Sequence, residues 1–495
     1  MPFPRISRCG PPFFLRFVTT RYISQSRSRA LTMAPEKGLD PASSSNTKRK
    51  ATRSISPPAI KRKAQSSISK TAVNNFFKPT SQKPKERTSW SERAPSHDTL
   101  ATLLVGRYEP EGVDGADQQK RTKIAAFDLD STLITTASGG KWAKGPNDWK
   151  WWDSTVPTKL KQMYAEDNYR IIILTNQAGL KLHRDPKAKG PKNLGEGVAN
   201  FKQKCNAILA QLDIPTSVYA ATAHDIYRKP RIGMWKELCN DYDIEEGEID
   251  TENSMFVGDA GGRTAQLKQN GSKAAAVAKD FSCSDRNFAH NVGVTYKTPE
   301  EFFLGEEPRE FLRDFDVAQH PFADDHDVIF EKKNDKDVVL FCGPPGAGKS
   351  TFFWKYLKPL GYERVNQDTL KSRAKCFKAA AERLGNGDSV AIDNTNPDVD
   401  GRAEWIEFAK KHKVPVRCVW FKTPLELCQH NDVVRGLNKP MNPEAREVLP
   451  SIAFNGFKSR FKEPKTKEGF QEVFEVDFKF RGTKEEYAIW GRYWT

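Results

Sequence analysis

Residues 337–351 read DVVLFCGPPGAGKST and determine the fold of the second half of the chain. The apolar run after Asp337 predicts a buried strand, a glycine-rich turn follows it, and a helical pattern begins near Thr351. In such a strand–loop–helix unit, backbone N–H groups and the start of the helix bind phosphates. Lys349 is expected to reach the β and γ phosphates of ATP, and Ser350 to bind Mg²⁺. The predicted ATP-binding residues are Gly343, Gly346, Ala347, Gly348, Lys349, Ser350 and Thr351.

Three further residues of this half are predicted to assist phosphoryl transfer. Asp368 follows the next predicted strand, where it suits either a base for an acceptor hydroxyl or a helix N-cap. Asp393 ends another strand and is a candidate metal ligand through water. Arg435 lies in a helical pattern, and an arginine there can stabilise the charge of a transferring phosphoryl group.

A second set of polar residues lies between positions 123 and 260, mostly at the ends of apolar runs. The set comprises Asp128, Asp130, Thr175, Lys229 and Asp259. The carboxyl ends of parallel strands meet at one edge of a sheet, so these side chains are expected to converge. Their order, Asp-x-Asp, then Thr, then Lys, then Gly-Asp, resembles that of the haloacid dehalogenase-like phosphatases.

Each residue type suits one step of phosphate hydrolysis. Asp128 is the predicted nucleophile that forms an aspartyl-phosphate, and Asp130 the general acid and base. Thr175 and Lys229 should stabilise charge on the phosphoryl oxygens. Mg²⁺ prefers hard oxygen ligands, which Asp128, Asp130 and Asp259 can supply.

One acidic residue of this metal site is not assigned by the motifs, because many haloacid dehalogenase-like phosphatases carry a second acid soon after Gly-Asp and this chain does not. Asp280 and Asp285 are the two candidates to replace it. A cluster of tryptophans after the nucleophile is also open to two interpretations, stacking of exposed bases or packing beneath a short cap. Its members are Trp142, Trp149, Trp151 and Trp152.

The net charge of +16 comes almost entirely from the first hundred residues. Residues 1–100 hold 20 Lys or Arg and 5 Asp or Glu, which leaves 59 basic and 58 acidic residues in the other 395. Residues 36–100 are rich in Ser, Pro and Lys, a composition that predicts disorder. Any basic groove in the catalytic body must therefore be local.

The tail contains three candidate targeting or docking segments. Residues 1–32 have arginines and no acid, as mitochondrial transit peptides do, and Met33 is a possible second start. Two basic triplets at 48–50 and 61–63 have the spacing of a bipartite nuclear import signal; a solvated basic linker is the alternative. Residues 70–79 resemble the peptide that docks on the replication sliding clamp, although Lys70 replaces the preferred Gln and a chance aromatic pair is the alternative. The clamp contacts would be Val73, Phe76 and Phe77.

Eight scattered cysteines without metal-like spacing predict a reduced intracellular protein without disulfides or structural zinc. No apolar stretch approaches the ~20 residues of a membrane span, so a soluble protein is expected. We further expect a monomer.

Taken with these motifs, stretches such as residues 227–230, 279–285, 298–303 and 392–398 resemble the bifunctional polynucleotide kinase 3′-phosphatases of DNA end repair. The resemblance covers roughly residues 100–480 and implies removal of a 3′-phosphate and ATP-dependent phosphorylation of a 5′-hydroxyl on DNA ends. Residues 36–100 are too short and polar for the phosphopeptide-binding domain of the animal members. The alternatives are an RNA or tRNA end-repair enzyme, a metabolic phosphatase fused to a small-molecule kinase, and a non-catalytic clamp-binding tether.

The predicted fold is α/β, with two doubly wound parallel-sheet domains after a disordered basic tail. The tail is placed at residues 1–100 and the haloacid dehalogenase-like phosphatase at 101–310. A linker follows at 311–334, and the P-loop kinase occupies 335–495.

Overall fold

The computed structural model describes residues 86–112, 121–183, 194–270, 273–322 and 330–495. The predictions for the transit peptide, the import signal and the clamp-binding residues Val73, Phe76 and Phe77 concern positions outside these ranges and stay predictions. The described residues belong to one structural unit, Pro84–Thr495.

The first domain contains a seven-stranded sheet and two small hairpin sheets. Its strands are β1 (Thr88–Arg93), β2 (Leu103–Tyr108), β3 (Ile124–Phe127), β4 (Ile134–Thr135), β5 (Lys150–Trp151), β6 (Arg170–Asn176), β7 (Thr216–Ala221), β8 (Met255–Val257), β9 (Gln266–Asn270), β10 (Lys273–Val277) and β11 (Thr295–Lys297). The large sheet has the order β1-β2-β7-β6-β3-β8-β11. Within this sheet, the neighbouring strands β7, β6, β3, β8 and β11 run parallel, whereas β1 and β2 form an antiparallel edge.

Helices cover both faces of this sheet because its central strands are apolar on both sides. They are α1 (Val156–Ala165), α2 (Leu194–Leu212), α3 (Gly233–Asp241) and α4 (Ser284–Val292). Phe127 of β3 packs into one core with α1 and α2, and its neighbour Ala126 packs into the opposite core with α3 and α4. This alternation follows from the two-residue period of a strand and confirms the doubly wound prediction.

The boundary predicted at residue 100 is too late. Strand β1 pairs with β2 from Thr88↔Tyr108 to Arg93↔Leu103, so these residues belong to the phosphatase sheet and not to a disordered tail. The polar composition of the strand concealed it. An edge strand leaves much of its surface in water, and Thr88 is its single fully buried side chain.

The second domain is a five-stranded parallel sheet with the order β13-β14-β12-β15-β16. Its strands are β12 (Val338–Cys342), β13 (Tyr362–Val365), β14 (Ser389–Ile392), β15 (Val416–Phe421) and β16 (Val473–Val476). Its α-helices are α5 (Lys349–Phe352), α6 (Gln367–Leu370), α7 (Arg373–Gly385), α8 (Val399–Lys411), α9 (Leu425–Leu437), α10 (Ser451–Arg460) and α11 (Lys484–Trp490).

Short 3₁₀ and π turns complete the two domains and the segment between them. The 3₁₀ turns are Glu246–Glu248, Val317–Gln319, Lys358–Leu360, Lys439–Met441 and Thr466–Glu468, and the π turns are Glu300–Leu304 and Phe353–Leu357. Among the described residues, no helix is both long and apolar enough to span a membrane.

A buried ion pair joins α8 to the chain that precedes β16. The guanidinium of Arg402 is fully buried and donates to both carboxylate oxygens of Glu468 at 2.8 Å. It also donates to the carbonyls of Asn396, Pro397 and Lys462, which shape the loop after β14. The charge of Arg402 is thus paired with a carboxylate and its N–H groups have acceptors, as the burial of an arginine requires.

We predict that Glu468→Ala destabilises the protein by about 3 kcal/mol, because it leaves the Arg402 charge buried without its carboxylate. Equilibrium urea unfolding measures the change. The matched control is Glu475→Ala, which removes the partner of Lys422 in an exposed pair at 3.0 Å and should cost less than about 1 kcal/mol. Equal effects of the two substitutions would contradict the prediction.

Candidate active sites

Three carboxylates converge at the carboxyl edge of the first sheet. Asp128 follows β3, Asp259 follows β8, and Asp285 lies in the first turn of α4. One carboxylate oxygen of each lies within 4.8 Å of the others. We call these residues the carboxylate cluster.

Gly258 makes room for this arrangement, because a Cβ at that position would overlap the carboxylate of Asp285. The backbone N–H of Ala260 donates to Asp285 at 3.1 Å, and the N–H of Asp285 donates to the Ala260 carbonyl at 3.0 Å. The loop after β8 and the start of α4 therefore hold Asp285 beside the strand ends.

Lys229 is the buried cation of the cluster. Its Nζ lies 2.6 Å from Asp128 and 2.9 Å from Asp285, and it donates to the carbonyl of Leu174 at 2.8 Å. The side chain of Asn176, at the end of β6, accepts from the Lys229 N–H at 2.9 Å and donates to its carbonyl at 3.2 Å. The lysine is thus held at both its backbone and its ammonium.

The cluster has three carboxyl groups around one ammonium, and this crowding shifts the pKa values of Asp128, Asp259 and Lys229. Burial, together with repulsion from Asp285, raises the pKa of Asp128 to about 7 although Lys229 opposes the shift. Burial and the carboxylates of Asp128 and Asp285 raise the pKa of Asp259 to about 8. Burial alone would lower the pKa of Lys229, but Asp128 and Asp285 outweigh it and raise that pKa. Three carboxylates around one ammonium form a site that a divalent cation would stabilise, and their hard oxygens suit Mg²⁺.

The structure separates the two candidates for the additional acid. Asp285 is in the cluster, whereas Asp280 pairs with Arg263 at 2.9 Å and accepts the backbone N–H groups of Gly261 and Arg263, both at 3.0 Å. Asp280 therefore shapes the loop after β8 and does not join the cluster.

The second aspartate of the Asp-x-Asp motif lies outside the carboxylate cluster, and its side chain is 53% exposed. The carboxylate of Asp130 accepts from Gln177 Nε2 at 2.6 Å and from Lys204 Nζ at 3.2 Å. Gln177 also donates to the hydroxyl of buried Thr175 at 3.0 Å, so one amide links two predicted catalytic residues. Sequence reasoning missed Lys204, because α2 carries no motif around it.

The tryptophan cluster divides between the two interpretations. Trp149, Trp151 and Trp152 pack against the core of the first domain, and Trp151 is part of β5, which pairs with β4. Trp142 is 77% exposed, with the Lys141 ammonium 5.4 Å from its ring. Packing therefore accounts for three of the four rings, and the base-stacking prediction applies to Trp142 alone.

The phosphate-binding loop of the second domain has the predicted strand–loop–helix context. Gly348 adopts φ +87° and immediately precedes α5, so its conformation suits glycine. Lys349 is buried, and its Nζ donates to the carbonyls of Gly343 at 3.0 Å and Pro344 at 2.5 Å. Burial lowers the pKa of Lys349.

Ser350 and Asp393 meet at the base of the loop. The Ser350 hydroxyl donates to the Asp393 carboxylate at 2.9 Å. Arg364 of β13, which sequence reasoning missed, donates to that carboxylate and to the Ser350 oxygen, at 2.7 and 2.9 Å. Arg364 also pairs with Glu444 at 2.7 Å. Its guanidinium thus neutralises the acid that faces the predicted metal ligand.

Asp368 is not the N-cap of its helix. Asn366 holds that position, and its side chain accepts the N–H groups of Asp368 at 2.9 Å and Thr369 at 3.2 Å. The carboxylate of Asp368 is therefore free of the capping role and is 77% exposed, with Arg446 at 3.4 Å. It lines a cavity of about 1130 Å³ together with the phosphate-binding loop.

Arg435 also lines this cavity, from helix α9. Its guanidinium pairs with Asp432 one turn earlier. Burial lowers the pKa of Arg435, and burial likewise raises the pKa of Asp432. Asn431 of the same helix donates to the Gly346 carbonyl at 3.0 Å, so α9 contacts the phosphate-binding loop directly.

These two sites define a protein that combines an aspartate-based phosphatase and a P-loop kinase in one chain. A family model described as polynucleotide kinase 3 phosphatase matches residues 123–303, and an AAA domain model matches residues 338–376 and 372–464.

The bifunctional polynucleotide phosphatase/kinase of Schizosaccharomyces pombe is 35% identical over 441 residues, which cover 86% of this chain and 97% of the relative. A protein of Acanthamoeba polyphaga mimivirus is 32% identical and covers 75% of this chain and 88% of the relative. The polynucleotide 3′-phosphatase ZDP of Arabidopsis thaliana is 28% identical over 37% of this chain and 24% of its own length. The chain belongs to the bifunctional polynucleotide phosphatase/kinase family, with the phosphatase first and the kinase second.

We predict that Asn366→Ala lowers the free energy of unfolding by about 1 kcal/mol, because two N–H groups at the start of α6 lose their acceptor. Asp368→Asn should leave it within about 0.5 kcal/mol, since that side chain is largely exposed. Urea unfolding of the two variants tests the assignment. A larger loss for Asp368→Asn than for Asn366→Ala would return the capping role to Asp368.

Proposed function

We propose that this protein repairs DNA strand ends by removing a 3′-phosphate in the first domain and phosphorylating a 5′-hydroxyl with ATP in the second. The observation that carries the proposal is the carboxylate cluster around Lys229 in the same chain as a complete phosphate-binding loop. The alternative of a non-catalytic clamp-binding tether is disfavoured, because the chain retains Asp128, Asp130, Lys349 and Ser350.

In the phosphatase, a carboxylate oxygen of Asp128 attacks phosphorus and the bond to the 3′ oxygen of the sugar breaks. Asp130 gives that oxygen its proton and later removes a proton from the water that hydrolyses the aspartyl-phosphate. Thr175 and Lys229 stabilise the phosphoryl oxygens. Gln177, which bonds both Asp130 and Thr175, orients the general acid toward the same site.

Asp128, Asp259 and Asp285 would hold Mg²⁺, joined by the Asp130 carbonyl in the sequence prediction. The bound cation would supply charge neutralisation, both for the buried carboxylates and for the phosphate that approaches them. The raised pKa values of Asp128 and Asp259 support this assignment, because they indicate that ionised carboxylates at this site need an additional cation.

In the kinase, Asp368 takes the proton of the 5′-hydroxyl while the hydroxyl oxygen attacks the γ phosphorus of ATP. The bond between that phosphorus and the bridging oxygen breaks, and ADP leaves. Lys349, the backbone N–H groups of the loop and Arg435 stabilise the charge on the transferring group. Ser350 would bind Mg²⁺ directly and Asp393 through water, and both oxygens already meet at Arg364. The exposure of Asp368 within the cavity leaves it accessible to an acceptor strand.

We predict that Asp128→Asn slows 3′-phosphate removal on the order of a thousandfold or more while kinase activity stays within about twofold. Lys349→Ala should do the reverse, so each variant is the control for the other. The assay is a nicked duplex with 3′-phosphate and 5′-hydroxyl, with and without ATP, read by gel electrophoresis.

A matched RNA duplex distinguishes the substrate classes in the same experiment. Faster processing of RNA ends would favour the RNA-repair alternative. Loss of both activities in either folded variant would contradict two independent sites.

We predict that Asp285→Asn raises the Mg²⁺ concentration for half-maximal phosphatase activity roughly 10–100-fold, because the cluster loses a charged ligand. Thermal unfolding at increasing Mg²⁺ should show a correspondingly smaller stabilisation. The control is Asp280→Asn, which removes the partner of Arg263 and should reduce stability without changing the Mg²⁺ midpoint. An unchanged midpoint in Asp285→Asn would exclude Asp285 as a ligand.

A further inference from the structure

A short segment of the kinase domain, Trp490–Trp494, lies against both catalytic domains. It follows helix α11, and both Trp490 and Tyr493 are buried, with 3% and 2% of their surface exposed. We call it the bridging segment. Its two ends make different contacts.

The far end of the bridging segment bonds to the phosphatase through its backbone. Asn291 donates to the Tyr493 carbonyl at 2.7 Å and accepts the Tyr493 N–H at 2.8 Å. Arg231 donates to the Trp494 carbonyl at 3.1 Å. The Tyr493 ring anchors this backbone, because its hydroxyl donates to Asp316 at 2.7 Å and it packs between Arg313, His290 and Phe315.

The residues that hold the segment also hold the loop of the phosphatase lysine. The amide of Asn291 that donates to Tyr493 also donates to the Pro230 carbonyl at 2.9 Å. Pro230 and Arg231 directly follow Lys229 in the chain. Helix α4 therefore contacts this loop at two points. Asp285 pairs with the Lys229 ammonium, and Asn291 donates to the Pro230 carbonyl.

The near end of the bridging segment bonds to the kinase. The Trp490 indole donates to Asn431 at 2.7 Å, and the Asn431 amide donates in turn to the Gly346 carbonyl of the phosphate-binding loop at 3.0 Å. His430 Nε2 lies 2.9 Å from the Trp490 carbonyl. Both helix α9 and the phosphate-binding loop thus fix where the segment starts.

We infer that the bridging segment positions Lys229, so that the phosphatase site is completed by residues of the kinase domain. Tyr493 and Asn291 are positioning residues in this scheme, because they contact the backbone that follows Lys229 and not the reacting groups. Sub-ångström errors in the placement of a catalytic group are costly, so loss of the support should slow hydrolysis. The inference rests on the proposed phosphatase function.

The test is the substitution Tyr493→Ala in the full chain. We expect kcat for release of phosphate from a 3′-phosphorylated oligonucleotide to fall roughly tenfold or more with little change in KM. Kinase kcat and KM for ATP should stay within about twofold, since Trp490 and Asn431 are intact. Tyr487→Ala is the matched control, because it removes a tyrosine ring of α11 whose hydroxyl donates to the His320 carbonyl, whereas the Tyr493 hydroxyl donates to Asp316. Its phosphatase kcat should match that of the wild type.

Asn291→Asp keeps the test decisive if Tyr493→Ala does not fold. The aspartate retains the acceptor for the Tyr493 N–H but loses the donor to the carbonyls of both Pro230 and Tyr493, so phosphatase kcat should fall. In the double variant the two losses should not add, because both act through one contact. Wild-type phosphatase kcat in either folded variant, equal losses of the two activities, or additive losses would overturn the inference. An inactive wild-type phosphatase would instead overturn the proposed function.

Discussion

The first domain is organised around three carboxyl groups that lie beside a single buried ammonium. Three carboxylates and one ammonium cannot be removed from water together unless each is fixed by a specific partner. The parallel sheet supplies two carboxylates at adjacent strand ends, α4 supplies the third, and Asn176 and Leu174 fix the lysine from β6. The same imbalance that would destabilise a structural core prepares the site for a cation and for a phosphate that brings further negative charge.

The kinase domain must also stabilise a buried carboxylate, and it does so by pairing that carboxylate directly with an arginine. The buried carboxylate beside its phosphate-binding loop, Asp393, is neutralised by Arg364, and Arg364 is itself shared with Glu444. Arg446 then connects Glu444 to Asp368, at 2.6 and 3.4 Å. A row of alternating charges therefore runs from the phosphate-binding loop to the proposed base. Binding of ATP with its cation must redistribute these pairs, because Arg364 contacts the oxygens that the cation would use.

Sequence reasoning located the strand ends, since an apolar run followed by a polar residue reports a parallel strand and its catalytic edge directly. It could not choose between Asp280 and Asp285, which lie five positions apart on the same loop and helix start. That choice depends on which carboxylate Gly258 leaves room for and which one Arg263 binds. The sequence also left Asp368 open as base or N-cap, and only the hydrogen bonds show that Asn366, which sequence reasoning did not consider, caps the helix. Strand β1 was missed because a polar edge strand resembles a linker.

Contacts between the two domains were the feature that was hardest to predict from the sequence. The hydrogen bonds of Tyr493 and Trp494 with the phosphatase use backbone atoms, which leave no pattern in residue types. Local motifs accordingly describe two separate catalytic sites, whereas the structure shows one segment, Trp490–Trp494, that bonds to residues of both domains. A 3′-phosphate and a 5′-hydroxyl face each other across a single nick, so an enzyme that must process both ends gains from holding its two sites in a constant relation. Backbone contacts around a buried tyrosine provide such a relation without placing any further demand on the catalytic side chains.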